Sequence, residues 1–108
     1  MKAIDWKPRA ETDAADGALW FARQGGVALG TRFLAELQAT LQRIALFPAS
    51  GSSRHAELAA QLPGTLRFML ISSFERYLVY YIDQPARVQV IRVWCVDRGL
   101  DGLMQDIS

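Results

Sequence analysis

The sequence has one cysteine, one histidine and no long apolar run, and each scarcity excludes a class of protein. Cys95 has no partner for an internal disulfide, which fits a reducing compartment. No apolar stretch approaches the roughly 20 residues that a transmembrane helix needs. The first ten residues, MKAIDWKPRA, carry no long apolar segment after Lys2, so we expect no secretory signal. These features predict a cytoplasmic protein with no membrane partner.

Lysine is nearly missing as well. Lys2 and Lys7 lie at the N-terminus, and the other ten of the 12 basic residues are arginines. Because arginine keeps its proton near neutral pH, this distribution excludes a lysine-based catalytic centre in the body of the fold. We expect His55 to be a solvated loop residue, and Cys95 has no nearby His or Cys with which to bind a metal. We therefore predict neither metal nor cofactor, and the net charge of +1 gives no strong sign of nucleic-acid binding.

Length and composition fit one domain spanning residues 1–108, since 51% of the residues are hydrophobic and 21% are charged. Alternating apolar and polar residues predict a short strand over residues 2–7. Helical patterns run from about Ala10 to the Gly25-Gly26 pair and from Val27 to Phe47. Three strand candidates with short connectors follow, at Leu66–Ile71, Tyr77–Ile82 and Val88–Trp94.

This order predicts an α+β fold with an N-terminal strand and an antiparallel two-helix hairpin on a small, mostly antiparallel sheet (β-α-α-β-β-β). The second helix has the clearer pattern, an apolar stripe formed by Gly30, Leu34, Leu37, Leu41 and Ile44. We expect that stripe to face the sheet.

The segment RYLVYYID, residues 76–83, is apolar on both faces of its predicted strand. Tyr77, Val79 and Tyr81 alternate with a second row made of Leu78, Tyr80 and Ile82. Two helices can shield only one face of the sheet. The C-terminal tail could cover part of the other face, and we expect another chain to cover the rest.

Several short markers, in order, resemble the RelE/ParE family of bacterial toxins over nearly the whole chain. They are Pro8 and Ala10 at the first helix, and Pro48 and Gly51 after the second helix. Strand markers follow them: Leu66-Arg67, Arg76-Tyr77 with Tyr80-Tyr81 behind it, and Arg92-Val93. No marker is specific alone, but their order and spacing are, and the likeness is closest to ParE.

The resemblance implies the toxin half of a type II toxin–antitoxin pair. In such pairs a small antitoxin, encoded in the same operon, wraps an extended or helical C-terminal segment around the toxin. The complex would be a hetero-oligomer, in which only the antitoxin contacts DNA. One branch of the family cleaves messenger RNA on the ribosome, whereas ParE inhibits DNA gyrase by binding.

The resemblance offers residues for inhibiting the target but no complete acid–base pair for RNA cleavage, so we predict no catalytic residue. The target-inhibition candidates are Arg67, Arg76, Tyr77, Arg92 and Arg98. ParE-like inhibition is therefore the preferred function. The alternatives are a RelE-type endoribonuclease and an inactive antitoxin-binding relative. The inactive relative stays open because Cys95 and Gly99 replace a His and an Asp of the usual ParE pattern, Arg-Val-x-His-Gly-x-Arg-Asp.

The antitoxin-binding candidates come from two surfaces. Four residues lie off the apolar stripe of the second helix and two on the unshielded face of the sheet: Arg32, Phe33, Glu36, Arg43, Tyr80 and Trp94.

Overall fold

A computed structural model describes residues 1–105 and confirms the α+β fold. Its regular elements follow in chain order: β1 (Ala3–Trp6), α1 (Pro8–Gly25), α2 (Val27–Leu46), β2 (Leu66–Ile71), β3 (Phe74–Asp83) and β4 (Arg87–Cys95). Short 3-10 turns span Pro48–Ser50, Ala56–Ala59 and Val96–Arg98. Within the described residues, no helix is long and apolar enough to cross a membrane.

The two helices form a closely packed hairpin. Pro8 starts α1, where its missing N–H removes no helical hydrogen bond, and Gly26 separates the helices with φ at 93°, which favours glycine. At Gly30 of α2, a Cβ atom would lie 2.6 Å from the carbonyl oxygen of Ala18 in α1. The backbones therefore approach each other where side chains are small.

The sheet has the strand order β1-β4-β3-β2. The N-terminal strand pairs in parallel with β4, while β2 with β3 and β3 with β4 are antiparallel. This agrees with the predicted, mostly antiparallel sheet. The first strand covers only Arg87–Val90 of β4, so the second half of β4 has no strand neighbour on that side.

The helical face of the sheet carries one apolar core, and its composition corrects one predicted detail. Phe33 is fully buried there with Leu37, Leu41 and Ile44, whereas Leu34 is 45% exposed. Both positions 33 and 34 are compatible with a 3.6-residue period. The sequence pattern alone therefore did not determine which of the two faces inward. Phe33 faces inward because its ring packs on Phe74 and Tyr77.

The other face of the sheet carries a second core, and the expectation that another chain must cover it is wrong. The segment after α2 passes the edge of the sheet, where Ser52 pairs with Phe68 of β2, and then crosses this face, where buried Ala59 and partly buried Leu62 pack on the cluster. Leu103 of the C-terminal tail closes the other side and has no exposed surface. The chain itself therefore covers most of both faces of its sheet, while Leu70 in β2 stays 47% exposed.

Candidate functional site

A cleft of about 640 Å³ opens at one end of the sheet, where three parts of the chain meet. Trp20 and Phe21 come from the second half of α1, and the segment 73–77 contains the β2–β3 turn and the start of β3. The end of β4 and the following 3-10 turn add Cys95, Asp97 and Arg98. Ser73 has a φ of 68° in that turn, which reverses the chain so that Phe74 pairs with Ile71.

Aromatic rings form the floor of the cleft. Phe21 lies with its ring centroid 4.8 Å from that of Phe74 and 5.1 Å from that of Phe33. The ring of Tyr77 packs 5.0 Å from Phe33, while Trp20 lies at the rim with 52% of its surface exposed. Because buried neighbours hold these rings, the floor is a fixed surface rather than a set of free side chains.

The rim of the cleft is charged. Arg76 Nη1 lies 3.5 Å from Asp97 Oδ2, and both side chains are mostly exposed, so the pair contributes little to stability. The guanidinium carbon of Arg98 lies 4.0 Å from the centroid of the Trp94 ring, in a cation–π contact. Two guanidinium groups therefore flank the aromatic floor, on β3 and on the last 3-10 turn.

Tyr77 stays neutral between these arginines. Burial raises the pKa of Tyr77 above its ordinary value of 10.0, and interaction with the neighbouring Cys95 raises it further. The positive charge of Arg98 lowers this pKa, but the upward effects dominate. A tyrosine with this pKa offers a hydroxyl for hydrogen bonding and a ring for stacking, and it is poorly suited to abstracting a proton near neutral pH.

Three of the five target-inhibition candidates, Arg76, Tyr77 and Arg98, line this cleft. Arg67 does not, because it pairs with Tyr81 at the far end of β3, five residues or roughly 17 Å from Arg76. The Nη1 of Arg67 donates to the carbonyl oxygen of Gly51 at 2.9 Å. It helps to fasten the loop that follows α2.

Arg92 is also outside the exposed part of the site, which corrects its prediction as a cationic surface residue. Only 1% of Arg92 is exposed. Its Nε and Nη2 donate to the two carboxylate oxygens of Asp13 at 2.7 and 2.8 Å, and its Nη1 donates to the carbonyl oxygen of Leu103 at 3.1 Å. The same Asp13 accepts from the backbone N–H of Val93 at 3.1 Å, so it caps the part of β4 that β1 leaves uncovered.

The antitoxin-binding candidates divide in the same way. Phe33, Tyr80 and Trp94 are at most 1% exposed and offer no surface to a partner, so their prediction as surface residues is wrong. Each is buried by the chain itself: Phe33 by the first core, and the other two by the second. The three remaining candidates lie on α2: Arg32 and Arg43 are exposed and Glu36 is half-buried.

Sequence reasoning missed Trp20, Cys95 and Asp97 as residues of the cleft. Trp20 lies off the buried face of α1. A large aromatic residue on the exposed side of a helix was the only feature of the sequence that could have indicated a binding surface there. Cys95 carries no local signal for the cleft, and only its position beside Tyr77 in the β3–β4 pairing places it there.

His55 differs from its expected state as a solvated loop residue. Its ring stacks on Phe68 with the centroids 4.9 Å apart, and its Nδ1 lies 2.8 Å from the hydroxyl of Tyr80. It therefore fastens the folded-back loop and lies outside the cleft. Among residues 1–105, no group of three His, Cys, Asp or Glu side chains is arranged to hold a metal ion.

Comparison with known proteins places this geometry in a class. Two helices on a four-stranded mixed sheet, in the order β-α-α-β-β-β, match the ParE-like fold. The family described as the ParE toxin of type II toxin–antitoxin systems, parDE, matches residues 4–98. The chain belongs to this ParE toxin family.

A solved structure described as the chromosomal ParDE TA system from P. aeruginosa has the same fold. The two chains are 13% identical, with a TM-score of 0.69, over 88% of this chain and 96% of that one. At this identity the likeness is one of fold. A search of curated proteins finds no match.

Proposed function

We propose that this ParE-family chain inhibits DNA gyrase in the cytoplasm by binding it, and that a ParD-like antitoxin from the same operon neutralises it. Family membership supports a toxin with an antitoxin partner. ParE toxins generally act as inhibitors by binding, not as enzymes. The target and the mode of neutralisation are the additions that we propose.

The observation that carries inhibition by binding is the cleft itself. Arg76, Tyr77 and Arg98 combine two cations with a neutral ring on a rigid aromatic floor, which suits recognition of carboxylates and flat apolar groups. RNA cleavage instead needs a group that gives or takes a proton near neutral pH. The raised pKa of Tyr77 opposes that role, and arginine side chains do not provide it.

We assign antitoxin binding to the outer surface of the helical hairpin. A shallow, mainly apolar groove of about 360 Å³ lies beside it, where the hairpin meets β1, and it is lined by Trp6, Glu11, Ala14, Ala15 and Leu34. The predicted antitoxin contacts Arg32, Glu36 and Arg43 lie on the side of α2 opposite Leu34, since Arg32 and Arg43 are about 160° and 180° from Leu34 around the helix. An amphipathic antitoxin segment would fit this groove with its apolar side on Leu34. DNA would then be contacted by the antitoxin alone.

The test starts with induced expression of the chain without its neighbouring gene, which should arrest growth. Purified protein should then inhibit supercoiling by gyrase. Arg98→Ala should relieve both effects and keep antitoxin affinity within about tenfold, or roughly 1.4 kcal/mol. The matched control is Arg87→Ala, because Arg87 is also an exposed arginine but lies at the start of β4, away from the cleft.

Two results would overturn the proposal. Unchanged supercoiling together with cuts in ribosome-bound messenger RNA would show a RelE-type nuclease. Unimpaired growth combined with tight antitoxin binding would show an inactive relative, in line with Cys95 and Gly99 at the His and Asp positions of the ParE pattern.

A further inference from the structure

The guanidinium group of Arg98 is held by Trp94, a residue that is itself 99% buried, since its exposed fraction is 1%. The indole Nε1 donates to the carbonyl oxygen of Gly99 at 2.6 Å, and the Arg98 guanidinium carbon lies 4.0 Å from the ring centroid. One indole ring therefore holds both the backbone after Arg98 and the side chain of Arg98.

The backbone at Gly99 allows this arrangement. Gly99 has φ at 70° and ψ at −173°, a region that is essentially restricted to glycine. Its N–H donates to the carbonyl oxygen of Val96 at 3.1 Å and closes the 3-10 turn that carries Arg98. A Cβ atom at this position would meet nothing within 4 Å, so a side chain here would act through backbone strain and not through a clash.

The indole ring is fixed in its turn by the buried ion pair. The Arg92 guanidinium carbon lies 4.5 Å from the same ring centroid, and Asp13 binds that guanidinium through both carboxylate oxygens. Contacts therefore run without a break from α1 through β4 to the rim of the cleft.

We propose that Trp94 is a positioning residue, which orders the Arg98 side chain at the cleft before the target binds. An ordered guanidinium loses less conformational freedom on binding, so the contact should strengthen binding to the target. This effect on inhibition rests on the proposed function. An exposed arginine otherwise samples many rotamers, and a cation–π contact restricts them. ParE-like sequences commonly carry Asp at the position of Gly99. In this chain the backbone conformation of Gly99 places its carbonyl oxygen where the indole N–H of Trp94 donates to it.

The first measurement needs no target. In the NMR spectrum of the full chain, the side-chain CH₂ protons of Arg98, identified by their loss in Arg98→Ala, should be shifted upfield by the indole ring current. Trp94→Phe keeps an aromatic ring but removes the N–H donor, and Gly99→Ala leaves the indole intact but strains the turn. Both should reduce the shift, while Leu100→Ala, an exposed neighbour outside the cleft, should not. Unshifted Arg98 protons in the original protein would overturn the proposal.

The second measurement uses gyrase. Trp94→Phe should raise the toxin concentration for half-inhibition of supercoiling about two- to fivefold, the size of a cation–π contact at an exposed site. The double variant Trp94→Phe/Arg98→Ala should inhibit no worse than Arg98→Ala alone, because Trp94 acts through Arg98. Additive losses would refute positioning. If Arg98→Ala leaves inhibition intact, the role proposed for the cleft fails, and the NMR shift still decides whether Trp94 orders Arg98.

Discussion

Breaking the buried Asp13–Arg92 ion pair by removing one partner should be strongly destabilising, and Asp13→Ala measures that cost. The substitution would remove the acceptor for two guanidinium N–H groups and for the backbone N–H of Val93. Arg92 would keep only the carbonyl oxygen of Leu103 among its present hydrogen-bond partners, beside its contact with the Trp94 ring. A positive charge would remain at a position where 1% of the side chain is exposed.

Breaking one partner of a buried pair costs about 3–5 kcal/mol, because the remaining charge is desolvated without compensation. Domains of this size have a total free energy of unfolding of about 5–15 kcal/mol. We therefore expect Asp13→Ala to remove about a fifth or more of the stability, measured by urea unfolding at pH 7. The double variant Asp13→Leu/Arg92→Met should recover most of the loss, since it removes both charges and refills the volume.

The chain contains a matched control. Arg87 and Asp5 form an ion pair with the same closest distance as Arg92 and Asp13, 2.7 Å, but with 53% and 51% of their side chains exposed. Asp5→Ala should cost less than about 1 kcal/mol. If Asp13→Ala costs no more than Asp5→Ala, burial does not control the strength of these pairs and the reasoning fails. A double variant as unstable as Asp13→Ala would fail it as well.

Three further predictions concern stability. The pKa of Tyr80 is raised to about 12 by burial, so the folded state holds this proton more tightly than the unfolded chain. The stabilisation it gives is present below pH 10 and is lost as pH rises from about 10 to 12, at about 1.4 kcal/mol per pH unit. Unfolding in urea across pH 8–11.5 should show this decline, and Tyr80→Phe should make it shallower; an unchanged slope would contradict the assignment. Gly51→Ala would place a Cβ atom 2.9 Å from the carbonyl oxygen of Phe68 and should cost about 1–3 kcal/mol, while Gly64→Ala, with no contact under 3.4 Å, should cost less. Equal losses at both would show that crowding at Gly51 is relieved. Gly30→Ala should lower the thermal midpoint despite alanine's better helix propensity, because its Cβ atom would meet a carbonyl of α1 at 2.6 Å; a raised midpoint would mean that the helices can separate without loss.

Local patterns predicted the elements well, because each depends on residues close together in the chain. The alternation in residues 76–83 and the period of α2 fixed the type of both elements, and the Gly25-Gly26 pair fixed the corner between the helices. The same patterns left neighbouring residues undecided. Phe33 and Leu34 differ by 100° around a helix, and contact with Phe74 decided which of them is buried.

The candidate site was predicted in part for the same reason. Arg76 and Tyr77 are adjacent on one strand and Arg98 follows the strand paired with it, so their convergence follows from the β3–β4 hairpin. Arg92 was a target-inhibition candidate on the same grounds as Arg76 and Arg98, but its side chain is buried. The residue that neutralises it, Asp13, lies 79 positions away, and no local pattern marks that pairing.

The sequence by itself determined which segments are helices and strands, the order in which they come and the family to which the chain belongs, since those depend on periodicity and short motifs. Only the tertiary structure decided what covers the second face of the sheet. The sequence indicates that Tyr80 and Trp94 are buried, but it does not show which part of the chain, or which partner, buries them. Residues 51–65 and Leu103 provide it, because a loop with few regular hydrogen bonds of its own is stabilised by packing on the apolar surface it meets.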